Sequence, residues 1–291
     1  KFQTFKTADL CKIDAPKTNH QSRNILKKLT QFQMLKKLEL NESEFLKLFK
    51  LCKKLKIEFL STPYDIRSVD LLERIGVKTY KVASPDLVDL NLHRRIIKTK
   101  KKVIISTGAC TLREIKKTVS FYKRKGHKNF TLMHCVSNYP YDENNSNLNL
   151  IKKLKKEFKC PVGFSDHGKS NEPAKIAVSL GAEIIEKHFT YNKKANGPDH
   201  SSSFDVKDFR NYVDEIRRTE KLLGKPLKKV YLEEKSFRKY ARKSITLNKD
   251  LEKDSKIKYS DFEMKRPGTG LNGQFIEMIM GKKIKKKLKK N

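Results

Sequence analysis

"PVGFSDHG", residues 161–168, runs from an apolar step into three consecutive polar side chains and a glycine. Pro161, Val162 and Phe164 suit a buried strand, and Ser165, Asp166 and His167 then arrive together before Gly168. An ordinary turn, with Gly168 letting the chain change direction, would account for such an ending. So would a site built at the strand tip. The pattern recurs in "KFQTF" (1–5), "KIEFLS" (56–61), "TYKVAS" (79–84), "KVIIST" (102–107), "FTLMHC" (130–135) and "AEIIEKHF" (182–189). At or near their ends these runs deliver Lys1 and Gln3; Ser61 and Thr62; Lys81 and Ser84; Ser106, Thr107 and Gly108; His134, Ser137 and Asn138; Glu186 and His188. One polar ending marks the entry to a loop. Seven of them point to strands whose C-terminal ends converge on one mouth.

Helical spacing fills the intervals. Phe45, Leu48, Phe49, Cys52 and Leu55 share one face behind an Asn41/Glu44 capping box. Leu112, Ile115, Val119 and Tyr122 do so behind Thr111 and Glu114, and Asp65 can cap a helix ending at Gly76. Apolar strands alternating with helices read as a parallel sheet covered by helices. Seven strands would serve an open doubly wound sheet, whose strand ends lie along a line. A (β/α)8 barrel needs eight. Converging ends favour the α/β barrel. The chain opens at Lys1, inside a strand, so the expectation is a TIM barrel whose first strand has been cut off. This domain is expected over 1–222 and a linker over 223–241. A small module over 242–291 has the β-like pieces "KSITL" and "KIKY" and the turn "KRPGTG" (265–270). It is too short for a core of any size and should pack on something else.

The formal charge of +34 raises the question of nucleic acid. The lysines are spread along the whole chain, Ile and Asn are also abundant, and no basic-aromatic reader motif occurs. Compositional drift explains the charge, and neither nucleic acid nor membrane is expected as a partner. "GKKIKKKLKKN" at the C-terminus has only Ile284 and Leu288 as apolar residues and reads as a solvated edge. No apolar run approaches the ~20 residues of a membrane span. Cys11, Cys52, Cys110, Cys135 and Cys160 are scattered and form no C-x-x-C pair, which suits a reducing, cytoplasmic location.

His167 and His188 end consecutive strands, and neighbouring strands lie ~4.8 Å apart. The two imidazoles could share a divalent ion, with water and oxygen atoms at the remaining positions. Each could equally be a hydrogen-bonded strand cap. Asp166 and Glu186 beside them bring the two readings level. Lys1, Lys81, Ser84, Ser106, Thr107 and Ser165 offer the ammonium and hydroxyl groups an anion needs, although each alone could be solvated. A lysine such as Lys81 can also form a Schiff base if its pKa is depressed.

"KFQTF", "FLSTPYD", "YKVAS", "IISTGA", "HCVSNYP", "GFSDHG", "EKHFT", "GPDH" and "KRPGTG" occur here in the order of the sialic acid (N-acetylneuraminate) synthase family, which includes the legionaminic and pseudaminic acid synthases. The chain resembles that family over almost its entire length. The resemblance implies a (β/α)8 barrel followed by a small antifreeze-like (SAF) β-clip domain. It implies a transferase that condenses phosphoenolpyruvate with an N-acetylated aldose such as N-acetylmannosamine, giving a nonulosonic acid and phosphate. His167 and His188 would hold the ion, Mn²⁺ or else Mg²⁺ or Co²⁺. Lys1, Gln3, Thr62, Lys81, Ser84, Ser106 and Ser165 would hold phosphoenolpyruvate. Glu186, Asp199 and Tyr139 would face the sugar. Arg266 would reach over from the second subunit of a domain-swapped homodimer. The ion would polarise the aldehyde and carbon 3 of phosphoenolpyruvate would attack it. A water activated by the ion would then add at carbon 2, and phosphate would leave.

The sequence also departs from the family pattern. The first strand with its sugar-binding glutamate is absent, and the chain ends before the last SAF strand, so this chain is expected to be inactive or poorly folded. "VASPDL" replaces a "GSGE"-type sequence, Ser137 stands where some members have Asn, and Asp254 stands where a turn glycine is usual. Two other readings stay open: a Schiff-base aldolase using Lys81, and a basic polyanion-binding protein on a relic barrel. Asp166 is expected to be a supporting carboxylate behind the site residues or a purely structural one.

Overall fold

A computed structural model of the chain describes residues 1–17, 21–22 and 29–290. It divides into two compact units, Lys1–Gly224 and Lys225–Asn291.

In the first unit seven strands pair in parallel, and their spatial order is their sequence order. They are β1 (Phe2–Thr4), β2 (Ser61–Pro63), β3 (Thr79–Val82), β4 (Lys102–Ser106), β5 (Phe130–Cys135), β6 (Val162–Asp166) and β7 (Ile185–Lys187). Parallel neighbours need long crossovers, and helices supply them. After the short α1 (Thr7–Leu10) and α2 (Gln31–Lys36) come α3 (Glu42–Lys54), α4 (Ile66–Ile75), α5 (Leu90–Lys98), α6 (Leu112–Arg124), α7 (Leu150–Phe158), α8 (Glu172–Ser179) and α9 (Val206–Leu223).

The caps stand where their side chains dictate. Asn41 Oδ1 accepts from the Glu44 amide at 3.0 Å, and Glu44 Oε2 accepts from the Asn41 amide at 2.7 Å. Thr111 and Glu114 repeat the box at α6, and Asp65 accepts from the Ser68 amide at 2.7 Å to open α4. Gly76 closes α4 at φ +89°, a left-handed geometry that needs no Cβ. "KIEFLS" differs from expectation: the backbone turns at Lys56 (φ +55°) and the strand begins only at Ser61.

Strand alternation sorts the side chains into two faces. Tyr80, Val82, Val103, Ile105, Phe130, Leu132, Val162 and Phe164 pack outward with the apolar stripes of the helices, among them Leu72, Ile96, Val119 and Leu154. Each large apolar side chain buried this way contributes about 1.5–3 kcal/mol. Gln3, Thr62, Lys81, Ser106, Ser165 and Glu186 take the other face. β1 and β7 are the two edges of the sheet, yet Lys1 Nζ lies 2.8 Å from Glu186 Oε2. The sheet is therefore curled, with its polar face inside.

The second unit pairs β8 (Ser244–Leu247) antiparallel with β9 (Phe262–Lys265). α10 (Glu234–Ala241) precedes them, inside the stretch expected as a linker. "KIKY" supplies only one bridge residue, Lys256 opposite Lys283, whereas "KSITL" forms β8 and pairs with β9. Leu251 and Ile284 are buried, and Leu251 pairs with Leu288, so the basic C-terminal run contributes both of its apolar residues to this unit. Asp254 takes φ +66°, the left-handed geometry that suits a turn glycine and that Asp tolerates. Asn291, the end of the expected module, lies outside the described residues. Among the described residues no helix is long and apolar enough to cross a membrane.

Candidate active site

The inner face gathers a cationic cluster around one carboxylate. Lys81 on β3 is buried; its Nζ hydrogen-bonds Ser106 Oγ on β4 and lies 3.6 Å from Glu186 Oε1 on β7. Lys1 Nζ reaches the other Glu186 oxygen, and Ser165 Oγ on β6 donates to Glu186 Oε1 at 2.8 Å. Burial alone would raise the Glu186 carboxyl. The ammonium groups of Lys81 and Lys1 and the donated hydrogen bonds outweigh it and hold the group well below the usual carboxylate range. Burial lowers Lys81 to about 8, against the opposing pull of Glu186. At neutral pH the cluster is two ammonium groups and one carboxylate, with hydroxyls from β4 and β6 beside them.

Three rings stand next to it. His167 and His188 have centroids 5.4 Å apart, and Tyr139 lies 4.1 Å from the first and 5.3 Å from the second. His167 Nδ1 sits 2.8 Å from the Val136 carbonyl oxygen, which can only accept, so Nδ1 carries the proton. Nε2 is left as a lone pair on the inner side, 3.3 Å from Ser165 Oγ. Burial lowers the His167 pKa to about 4, so the ring is neutral at physiological pH. His188 Nδ1 lies 3.9 Å from Asp199 Oδ2. Among the described residues no three His, Cys, Asp or Glu side chains gather into a protein-only cation cage. The donor set here is the neutral His167 imidazole with the His188 ring beside it, which fits an ion that takes its remaining ligands from water or substrate oxygens.

The fold also places the remaining expected residues. Ser84 is buried; its Oγ accepts from the Gly108 amide at 3.0 Å and lies 3.6 Å from Cys135 Sγ. Gly108 is required there, since a Cβ would meet Ser137 Oγ, Cys135 Sγ and Ser84 Oγ at 3.0 Å or less. Gln3 and Thr62 are register partners on β1 and β2, on the inner face with Lys1. Arg266 belongs to the second unit, where it is exposed. Gly168 serves close approach: a Cβ would press on Glu143 Oε1 at 2.9 Å.

One candidate escaped the sequence reading. Asp86 sits in the 3-10 turn Ser84–Val88 directly after β3. Its Oδ2 is, among the described residues, the one buried side-chain polar atom without a hydrogen-bond partner. Burial first, then neighbouring Asp89, raises its pKa to about 7 despite the pull of Lys81. The signal in the sequence was an acid two residues beyond Ser84, visible in "VASPDL" but indistinguishable there from a helix-turn carboxylate.

A curled parallel α/β sheet thus carries ammonium groups, hydroxyls and paired imidazoles on its inner face, the kinds of group an anionic ligand needs. The chain belongs to the NeuB family, whose profile matches residues 1–228. It is 36% identical over 293 residues to the N,N'-diacetyllegionaminic acid synthase of Campylobacter jejuni, covering 100% of this chain and 88% of that one. It is 33% identical to the pseudaminic acid synthase of Helicobacter pylori, over 84% of this chain and 72% of that one. Its structure resembles the N-acetylneuraminic acid synthetase of Leptospira borgpetersenii, solved in complex with citrate, with TM-score 0.70 and 33% identity over 81% of this chain and 78% of that one.

Proposed function

We propose that this protein condenses phosphoenolpyruvate, water and an N-acetylated aldose, N-acetylmannosamine or a related 2-acetamido sugar, into a nonulosonic acid and phosphate. The observation that carries the proposal is the Lys1–Glu186–Lys81 cluster, with its Ser106 and Ser165 hydroxyls, beside the paired imidazoles. Lys1 and Lys81 offset the phosphate and carboxylate charge, and the Ser84, Ser106 and Ser165 hydroxyls, with Gln3 and Thr62, fix the orientation. Glu186 keeps the two ammonium groups aimed at a common point and faces the sugar with Tyr139 and Asp199.

Carbon 3 of phosphoenolpyruvate bonds to the aldehyde carbon, whose oxygen gains a proton. Water adds at carbon 2 and gives up a proton, and the C–O bond to phosphate breaks. Asp86, with a pKa of about 7 and an unpartnered oxygen, is suited to hold or take up a proton at neutral pH. His167 and His188 would hold a divalent ion, Mn²⁺, Mg²⁺ or Co²⁺, which when bound would polarise the aldehyde oxygen. On this reading an eighth strand closes the barrel between β7 and β1. The second unit is then an antifreeze-like module whose Arg266 reaches the partner's mouth in a domain-swapped dimer, and the protein works in the cytoplasm, where its five free cysteines suit the reducing conditions.

The test is phosphate release by the full-length protein from phosphoenolpyruvate, with N-acetylmannosamine, its 6-deoxy diacetamido analogue or the pseudaminic precursor, each with the three metals and with chelator. Release that needs both a sugar and a metal supports the proposal; release from phosphoenolpyruvate alone contradicts it. A second reading, a Schiff-base aldolase, draws on the lowered pKa of Lys81. Borohydride trapping of a pyruvyl adduct on Lys81 would replace the first reading with it.

A further inference from the structure

The outer side of the β6–β7 pair carries a charge where the fold asks for an apolar side chain. Along β6, Val162 and Phe164 pack outward into the core, and the next outward residue is Asp166, fully buried. Its register partner on β7 is Lys187, whose side chain is 2% exposed, and the two are paired at 2.9 Å. Tyr212 on α9 donates to the same Asp166 oxygen at 2.8 Å, while Asp166 Oδ1 accepts from the Gly168 amide at 2.8 Å. Lys187 Nζ also donates to the Gly168 carbonyl at 2.6 Å and lies 4.1 Å from the centroid of the Phe204 ring. The Phe204 amide in turn donates to the His188 carbonyl at 2.9 Å.

A buried ion pair is a poor way to gain stability, because desolvation consumes most of its attraction and apolar replacements are often as good. What this pair does have is position. Asp166 and Lys187 each immediately precede one of the two histidines, and the network ties down the residues on both sides of His167 and the backbone of His188. Alternation then sets both imidazoles on the inner face with their spacing fixed. We propose that Asp166, Lys187 and Tyr212 are positioning residues that set the distance between His167 and His188 for a divalent cation. This inference rests on the reading of those histidines as cation ligands.

The experiment measures Mn²⁺ affinity of the full-length protein by the electron paramagnetic resonance of free Mn²⁺. Metal-free affinity for phosphoenolpyruvate, which rests on Lys1, Lys81, Ser84 and Ser106 outside β6 and β7 and only in part on Ser165 beside Asp166, and thermal midpoint are measured in parallel. Tyr212→Phe keeps the ring and removes one hydrogen bond. It should weaken Mn²⁺ several-fold, and Asp166→Asn by about ten- to a hundredfold, with phosphoenolpyruvate affinity held within about twofold. Lys187→Arg should recover most of the Mn²⁺ affinity that Lys187→Met loses. If wild type binds no Mn²⁺, the cation-site reading fails and takes the inference with it. If wild type binds and Tyr212→Phe and Asp166→Asn bind equally well, the inference alone is wrong. It is also wrong if both affinities fall together with the thermal midpoint, since the network is then only structural.

Discussion

The two faces of the same seven-stranded sheet differ in what they ask of a side chain. The outer face asks for volume: Val103, Ile105, Leu132 and Phe164 are interchangeable in kind, and their burial holds the helices on. The inner face asks for chemistry: Lys81, Ser106, Ser165 and Glu186 hydrogen-bond one another or lie in ion-pair reach, and their burial costs stability. One fold thus separates what keeps the protein together from what it does. Substitutions of the apolar outer residues should be silent in the readout of the inner face; the outward Asp166–Lys187 pair, which holds the two histidine-bearing strand ends, is the exception.

The largest effect is expected on the inner face. His167→Ala or His188→Ala should cut phosphate release by about a thousandfold or more while leaving the thermal midpoint close to wild type. Full activity of the double variant in chelator would break the contrast. Next is Lys81. The group is protonated below about pH 8, so phosphoenolpyruvate affinity should fall as pH rises through that value. Lys81→Arg, charged throughout, should lose that fall, and Lys81→Met should bind about a hundredfold more weakly at pH 7. A smaller effect is expected for Asp86→Asn. It should lower kcat by about tenfold or more and flatten the pH–rate profile near pH 7, the value to which burial raises the carboxyl.

The outer face should answer in the opposite sense. Ile105→Ala, at a fully buried position, should cost about 2–5 kcal/mol of stability and leave the KM for phosphoenolpyruvate unchanged while the protein is folded. A changed KM would show that the two faces are coupled. Smallest of all is Arg74→Ala, which breaks an exposed ion pair with Glu42. It should move neither the thermal midpoint nor KM measurably.

The same division explains what could be read in advance. Periodicity and capping are local, so the helices opened by Asn41, Asp65 and Thr111 were legible, as were most of the polar strand ends; His134 instead turns outward beside Phe164 and bonds the Ser146 carbonyl. "KIEFLS" and "KIKY" were misjudged because short runs with apolar and aromatic residues resemble strands whether or not a neighbour offers a ladder of hydrogen bonds. In "KIKY" only Lys256 finds a strand-like bridge. Asp86 and the Asp166–Lys187–Tyr212 network were illegible for a different reason. A carboxylate's role depends on whether water reaches it, and residues 21 and 46 positions apart become partners only once the sheet and α9 are in place. Asp166 read only as a supporting or structural carboxylate, its role unassigned, because its partners lie on β7 and α9.

The most direct test of the central claim, that the inner face condenses phosphoenolpyruvate with an N-acetylated sugar, is phosphate release by the full-length protein measured with each substrate alone and with both together. The account predicts release only when both are present, lost in the His167→Ala and Lys81→Met variants. Release that ignores the sugar, or that survives both substitutions, would contradict it.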